Sequence, residues 1–316
     1  MMSKTNTGMY LCMRRHKLRV VDLLQLRYFQ AVAHHEHVSR AAAELHVAQP
    51  ALSRSIARLE SELNVPLFDR EGRRIRLNRF GATFLARVDQ VLDHLDQGRR
   101  ELEDAAGLAR GSVAVASETL RTVTELSARF IAKHPEVSFQ LHQGPAPVMC
   151  DLLRTGTVDF CLASAPLGGV ELESVVLSNE EVLVAVPPTH GLARRRRVDL
   201  QMLIDEPFIT TRPGYWQRTL ADQLFSRIGI RPRIVCEGDD PGAIRGLISA
   251  GVGVGLLPAV SRRATASPKV AWLHLDDPVP RRTLELVWRK SAYLSVAAHF
   301  FRDVAVDVAR LWSSDG

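Results

Sequence analysis

The 316-residue chain is 46% apolar and 24% charged, with a mean hydropathy of −0.04. These values exclude a disordered chain or a fibre and provide for more than one buried core. The longest charge-free run, Gly246–Ser261, is interrupted by Gly251, Gly253, Gly255 and Pro258, and it falls short of the roughly 18 apolar residues that a membrane helix needs. Charge is divided unevenly. Residues 1–80 hold 14 Lys and Arg against 7 Asp and Glu, whereas residues 81–316 hold 27 against 28. A basic head on a neutral body implies a polyanionic partner for the head and different work for the body.

Residues 1–22 show no hydrophobic period and are expected to form a disordered extension. Their short apolar stretch, Gly8–Met13, precedes arginines, the reverse of a secretory signal. A soluble, cytoplasmic protein without a membrane partner is expected. Cys12, Cys150, Cys161 and Cys236 form no CxxC and lie near no histidines at zinc spacing, so reduced thiols and no metal or cofactor are expected. A redox switch is the lesser alternative.

The pattern is helical from Leu23 to Leu63. Leu23, Leu26, Phe29 and Ala33 mark one face of a first helix, and a second, short helix follows Ser39, read as its N-cap. After the turn His46-Val47-Ala48, a third helix opens on Gln49-Pro50. At about 100° per residue, Leu52, Ile56, Leu59 and Leu63 share one face of it, with Arg54 and Arg58 on the other. Gln49 and Ser53 lie at the N-terminal end, where a recognition helix enters the major groove. Glutamine suits adenine edges, arginine suits guanine, and serine suits base or phosphate. A hairpin follows, rich in Arg70, Arg73, Arg74, Arg76 and Arg79, a wing suited to the DNA backbone. Beyond the cap Asn78, the residues Phe84, Val88, Val91, Leu95, Gly98 and Leu102 are spaced 4, 3, 4, 3, 4. That seam asks for a partner helix, and its polar flanks favour a dimer over a buried monomeric helix.

Beyond Gly111 short strands and helices alternate. Strands are read at Ser112–Ser117, Val137–Leu141, Val158–Ala163, Glu181–Val186, Phe208–Thr211, Ile234–Glu237 and Val252–Leu257. Helices are read at Leu120–Lys133, Val148–Thr155, Trp216–Ile228 and Gly242–Ala250. The segments ending at Gly156 and Gly251 have one shape, which predicts two similar α/β lobes with parallel sheets and a cleft between them. A ligand there sits at strand C-termini and helix N-termini. The candidates are Ser117, Glu118 and Thr119, Gly144 with Pro145 and Ala146, Ser164, Thr211 with Arg212, and Asp240 with Pro241. Backbone amides at such ends favour small carboxylates, whereas Glu118 opposes an anion. Of this set, Glu118 and Asp240 are left out of the expected effector contacts.

The run LLQLRYFQAVAHHEHVSRAAAELHVAQPALSRSIARLESELNVPLFDREGRRIRLNRFG closely resembles the DNA-binding end of LysR-type transcriptional regulators. The likeness continues through Asp-Glu-Pro-Phe-Ile (205–209) and AGVGVGLLP (250–258) and covers residues 23 to about 310. The resemblance implies a winged helix-turn-helix, a coiled-coil linker helix and a two-lobed, doubly wound α/β effector domain like a periplasmic binding protein. The expected divisions are 23–80, 81–108 and 109–316, with one lobe at about 109–180 and 287–316 and the other at about 181–286. It implies DNA contacts at Gln49, Pro50, Ser53, Arg54 and Arg70, less firmly at Arg58, Arg73 and Arg74, with Ser39 and Arg40 added from the second helix. The implied partners are dyad-symmetric double-stranded promoter DNA, a small organic acid effector, RNA polymerase and further copies of the chain as a homodimer or homotetramer. Ala48 stands where the family often has a Ser or Thr cap, and His34-His35-Glu36-His37 replaces an acidic, glycine-rich turn.

Several motifs carry no chemistry. Gly251-x-Gly253-x-Gly255 lies between helix and strand, the wrong order for a dinucleotide fingerprint. The HHEH cluster lacks an i, i+4 zinc pair. Arg194–Arg197 reads as a solvated run. With no GxSxG, HExxH or P-loop, an enzyme is not expected, which leaves a solute binder or enzyme on the two-lobed body as the rival reading.

Overall fold

The computed structural model describes residues 21–71, 74–106, 111–168, 171–263, 268–276 and 279–314, and the chain divides into compact units at 1–95 and 96–316. Of the expected extension, residues 1–20 lie outside the described residues, as does Cys12. Asp22 belongs to the fold. It caps the first helix, α1 (Leu23–His35), accepting from Gln25 N–H at 2.7 Å while the Gln25 side chain accepts from Asp22 N–H at 3.0 Å.

In the first unit α1 stops at Glu36, in the left-handed region at φ 44°. Helix α2 (Val38–Glu44) is capped by the extended backbone of His37, not by Ser39 as the sequence reading had it. Ser39 already lies inside the helix, and its hydroxyl donates to Gln49 Oε1 at 3.2 Å. Helix α3 (Gln49–Leu63) has Pro50 in its first turn and ends at Asn64, φ 56°. Leu52, Ile56 and Leu59 pack with Phe29, Val32 and Ala41 in one core. Strands β1 (Phe68–Glu71) and β2 (Arg74–Leu77) form the antiparallel hairpin. Glu60 Oε1 accepts from Leu67 and Phe68 N–H at 2.7 and 3.2 Å, tying the hairpin to α3.

Helix α4 (Arg79–Ala105) starts at Asn78, whose side-chain oxygen accepts from Phe80 and Gly81 N–H at 2.9 Å. A Cβ on Gly81 would lie 2.1 Å from Leu67 O, so only glycine lets the helix start so close to the hairpin. The expected seam divides. Phe84 and Val88 belong to the core of the first unit, whereas Val91, Leu95 and Leu102 are 47%, 51% and 73% exposed.

The second unit starts with the end of α4. Arg100 Nη1 donates to the buried Asp159 Oδ1 at 2.7 Å, and Tyr293 OH donates to Asp104 Oδ2 at 2.8 Å. Then come β3 (Ser112–Ser117), α5 (Leu120–Lys133), β4 (Ser138–Gln143), α6 (Ala146–Arg154) and β5 (Phe160–Ala163). Next are β6 (Leu172–Val186), β7 (Arg197–Val198), β8 (Pro207–Thr211), α7 (Trp216–Arg227), β9 (Arg233–Gly238) and α8 (Pro241–Ser249). The last elements are β10 (Gly255–Pro258), β11 (Ala271–Leu275), β12 (Arg281–Arg289) and α9 (Val296–Ser314). The main sheet runs β4-β3-β5-β12-β6-β11-β7 with β10 also on β6, and β8 pairs β9 separately.

The sheets are therefore mixed, not parallel throughout as the sequence reading had it. β3 is parallel to β4 and β5, but β6 is antiparallel to β12, β10 and β11. The strand read at Glu181–Val186 begins nine residues earlier, at Leu172. Its first half sets the short run Val175-Val176-Leu177 among polar residues and is mostly exposed or half-exposed, so it lacks the longer apolar run that marks a buried strand. β11, β12 and α9 carried no separate sequence reading. Because β6 leaves one lobe and enters the other, its Glu180 and Glu181, opposite Arg282 and Arg281 on β12, mark the junction.

One lobe is built on Phe130, Phe160 and Phe301, the other on Phe208, Phe225 and Val184. Phe301 is fully buried, edge-on to Phe130 at 5.3 Å between centroids and 5.6 Å from Phe160. Phe301→Ala is expected to lower stability by about 3–5 kcal/mol, as cavity formation in a packed aromatic core does. Urea unfolding measures it, and a loss under 1 kcal/mol would contradict this packing.

Candidate DNA interface and effector cleft

The first unit presents a polar helix face. Gln49, Pro50, Ser53, Arg54 and Arg58 are exposed on α3, opposite Leu52, Ile56 and Leu59. Arg54 makes no hydrogen bond or ion pair within the described residues, leaving its fork of donors available. Arg58 Nε donates to Glu62 Oε1 at 2.9 Å, and that carboxylate holds the guanidinium firmly charged while sharing its donors. Ser39 and Arg40 lie exposed on α2, and the bond from Ser39 to Gln49 ties the two helices where α3 begins. Ala48 precedes α3 without a side-chain cap. Arg70 lies on β1 opposite Ile75, and Arg74 opens β2; Arg73 lies outside the described residues.

In the second unit two hollows lie between the lobes. The larger, about 1240 Å³, is lined by Thr119, Trp216, Arg245, Glu180 and Arg281 among others. The smaller, about 520 Å³, is lined by Gln143, Gly144, Pro145, Arg212, Tyr215, Asp239 and Asp240. Thr119, Gly144, Pro145 and Arg212 thus meet cleft space, while other expected effector residues serve the walls. Ser117 is buried, its hydroxyl donating to Thr119 O at 3.0 Å. Ala146 N–H donates to Gly214 O at 3.0 Å, a bond from one lobe to the other. Ser164 Oγ accepts from Arg282 Nε at 2.7 Å. Thr211 is fully buried with its hydroxyl unpaired among the described residues, Arg212 is exposed and pairs with Asp239 at 3.3 Å, and Pro241 opens α8.

Behind these hollows lies a polar cluster. Glu118 Oε1 accepts from Trp216 N–H at the start of α7 at 3.2 Å. Arg282 Nη1 donates to Glu180 Oε1 at 3.3 Å, and its guanidinium carbon lies 5.0 Å from the centroid of the Trp216 ring. Burial raises the Glu118 carboxyl to about 7, against the opposing pull of the Arg282 charge and the Trp216 and Ser164 amides. Burial likewise lowers the Arg282 guanidinium, opposed by Glu180 and Glu118. The sequence reading had placed Glu118 among the cleft candidates, as a group opposing an anion and outside the expected effector contacts, and had not found Arg282. Position after a strand was the available signal for Glu118; nothing local marks Arg282.

Residues 23–82 match the family description "Bacterial regulatory helix-turn-helix protein, lysR family", and residues 106–310 match "LysR substrate binding domain". The chain belongs to the LysR family of DNA-binding transcriptional regulators. The transcriptional dual regulator GltC of Bacillus subtilis (strain 168) is 35% identical over 293 residues, covering 90% of this chain and 97% of GltC. The uncharacterized regulator YybE of the same organism is 35% identical over 285 residues, covering 89% and 97%. Full-length OxyR C199D from Pseudomonas aeruginosa superposes with a TM-score of 0.64 at 25% identity, over 92% of this chain and 95% of that one. The effector-binding domain of QuiR, solved in complex with shikimate, gives a TM-score of 0.56 at 27% identity, over 64% of this chain and 98% of that one.

This LysR-family protein is accordingly a regulator and not an enzyme. No group of His, Cys, Asp or Glu that could hold a metal ion occurs among the described residues, and His35 of the HHEH run pairs with Glu44. No helix among the described residues is long and apolar enough to cross a membrane. Cys150, Cys161 and Cys236 are free, and burial pushes the Cys161 thiol far up, away from the thiolate form that reacts with oxidants.

Glu118 gives the regulator a signed pH dependence. Its carboxyl binds a proton more tightly folded, with a value of about 7, than at its ordinary 4.5. Its contribution to stability is therefore lost as pH rises through that window. Glu118→Gln is expected to leave stability nearly unchanged at pH 4.5 and to raise it at pH 8 by on the order of 2 kcal/mol. Denaturant unfolding at both values measures this, and a variant less stable at pH 8 would contradict it.

Proposed function

We propose that this LysR-family regulator reads a dyad-symmetric promoter site as a homodimer or homotetramer and is switched by a small organic acid held between its effector lobes. The exposed face of α3, with Gln49, Ser53 and the uncommitted Arg54 opposite a packed apolar face, is the observation that carries the DNA-contact assignment. Pro50, Ser39, Arg40 and Arg58 flank those base contacts, and Arg70, Arg73 and Arg74 of the hairpin add backbone contacts. The working divisions are 23–80 for DNA binding, 81–108 for the linker helix and 109–316 for the effector, with the lobes at about 109–180 with 287–316 and 181–286.

The exposed stripe of Val91, Leu95 and Leu102 supports pairing through α4. The two hollows, and the QuiR domain solved with shikimate, support a small effector between the lobes. Binding there changes the angle between the lobes and with it the spacing of paired heads, which alters DNA bend and contact with RNA polymerase. The protein works in the cytoplasm, where its DNA partner is. A thiol-based switch is not favoured, because Cys161 is buried and held protonated. A Cys150→Ser, Cys161→Ser double variant is expected to keep the full transcriptional response in a reporter assay; loss of response would restore the redox reading.

Two measurements test the DNA and assembly assignments. Gln49→Ala and Arg54→Ala are each expected to cost about 1–3 kcal/mol of promoter affinity in titrations at fixed salt, with unchanged circular dichroism. Leu95→Asp with Leu102→Asp is expected to reduce the mass by light scattering toward the monomer and to weaken DNA binding, because each head then binds without its tethered partner.

A further inference from the structure

At each of three helix ends of the cleft one amide donor is already bonded to an oxygen of this chain. The first amide of α6, Ala146 N–H, donates to Gly214 O at 3.0 Å. That of α7, Trp216 N–H, donates to Glu118 Oε1 at 3.2 Å, and in α8 Gly242 N–H donates to Asp240 Oδ1 at 2.8 Å. These are the places where a regulator of this architecture would receive a plain anion. Here one donor of each is bonded from within.

Three buried polar atoms here remain unmet, two of them acceptors. Among the described residues Glu118 Oε2, Thr211 Oγ1 and Gln217 Oε1 are buried without a hydrogen-bond partner, in residues 1%, 0% and 2% exposed. A buried polar atom left unpaired is costly, and more so when charged, so the ionised Glu118 and the Gln217 oxygen each call for a donor, while the Thr211 hydroxyl can take either role. The larger hollow is lined by more Arg than Glu, but around Glu118 and the smaller hollow charge points the same way. One guanidinium, Arg282, faces two carboxylates, Glu118 and Glu180. Along the smaller hollow Asp239 and Asp240 outnumber Arg212, which is itself paired with Asp239. Glu118 is joined to that hollow through its own backbone carbonyl, which accepts from Gln143 Nε2 at 3.5 Å. The Tyr215 hydroxyl, also on the hollow, feels the charges of both Asp239 and Glu118.

We propose that the effector is an amino acid, whose ammonium group is received by Glu118 at the junction of the lobes. This rests on the reading of the cleft as the site of a small organic acid and names the group that distinguishes this acid from others. The ammonium supplies the missing donors and the missing positive charge in one step, and opening of the lobes at Gly214 and Trp216 admits it.

The test uses the full-length protein and Glu118→Gln, with folding checked by circular dichroism. The probes are the twenty protein amino acids, each beside the matching carboxylic acid without the amine, in thermal shift and then calorimetry. The expected result is that at least one amino acid raises the melting temperature and binds at least ten-fold more tightly than its deaminated partner. Glu118→Gln is expected to weaken that amino acid ten-fold or more while leaving the deaminated acid unweakened. Equal binding of the deaminated acid, an unchanged affinity in Glu118→Gln, or no binding by any amino acid would overturn the proposal. Binding of the plain acids alone overturns it while leaving the effector-cleft reading intact; binding of neither class removes both. Promoter binding is read separately in the same preparations.

Discussion

A guanidinium buried to 4% exposure at the junction of two lobes has to be matched by acceptors, and the effector domain is organised around that requirement. Arg282 draws Glu180 from the adjacent strand, Ser164 from the end of β5 and Glu118 from the end of β3, with the Trp216 ring over its face. Those groups come from both lobes and from the strand that joins them. A change in any one alters how the lobes meet, so the charge balance of this cluster is the natural place for a ligand to act.

The same economy of faces governs α4. Its N-terminal turns pack into the core of the first unit through Phe84, Val88 and Leu92, with Asp89 accepting from Gln30 at 2.7 Å. Its C-terminal turns engage the second unit through Arg100 and Asp104. The residues used by neither, Val91, Leu95 and Leu102, remain as one exposed apolar line. The heptad residues thus divide between the core of the first unit and an exposed line, while Arg100 and Asp104 lie off the pattern, which explains why only part of the expected seam lies open.

In the first unit the sequence reading and the structure agree closely because the determinants are local. The 3.6-residue period of Leu52, Ile56 and Leu59, the proline in the first turn of α3 and the Asn78 cap all act within a few residues. The error there was also local: Ser39, a good cap by type, lost that place to His37, whose backbone is extended where the helix begins. In the second unit the helices α5 and α7 were legible from apolar spacing and from proline or glycine stops. The first half of β6 was not, since its apolar run is only three residues long amid exposed polar ones, and only pairing with β12, about a hundred residues later, makes it a strand.

The sequence by itself determined a basic helical head, a recognition helix with Gln49, Ser53 and Arg54 on its free face, and an alternating α/β body. Each of these follows from composition or from periods that act over one or two turns. Only tertiary structure decided that the sheet is mixed and that one amide at the start of α6 and one at the start of α7 are bonded across the lobes by Gly214 and Glu118. Arg282 meets Glu118 across 164 positions of chain. No local pattern records such a meeting, because the free energy that enforces it, the cost of burying a charge without a partner, exists only once the lobes have closed around it.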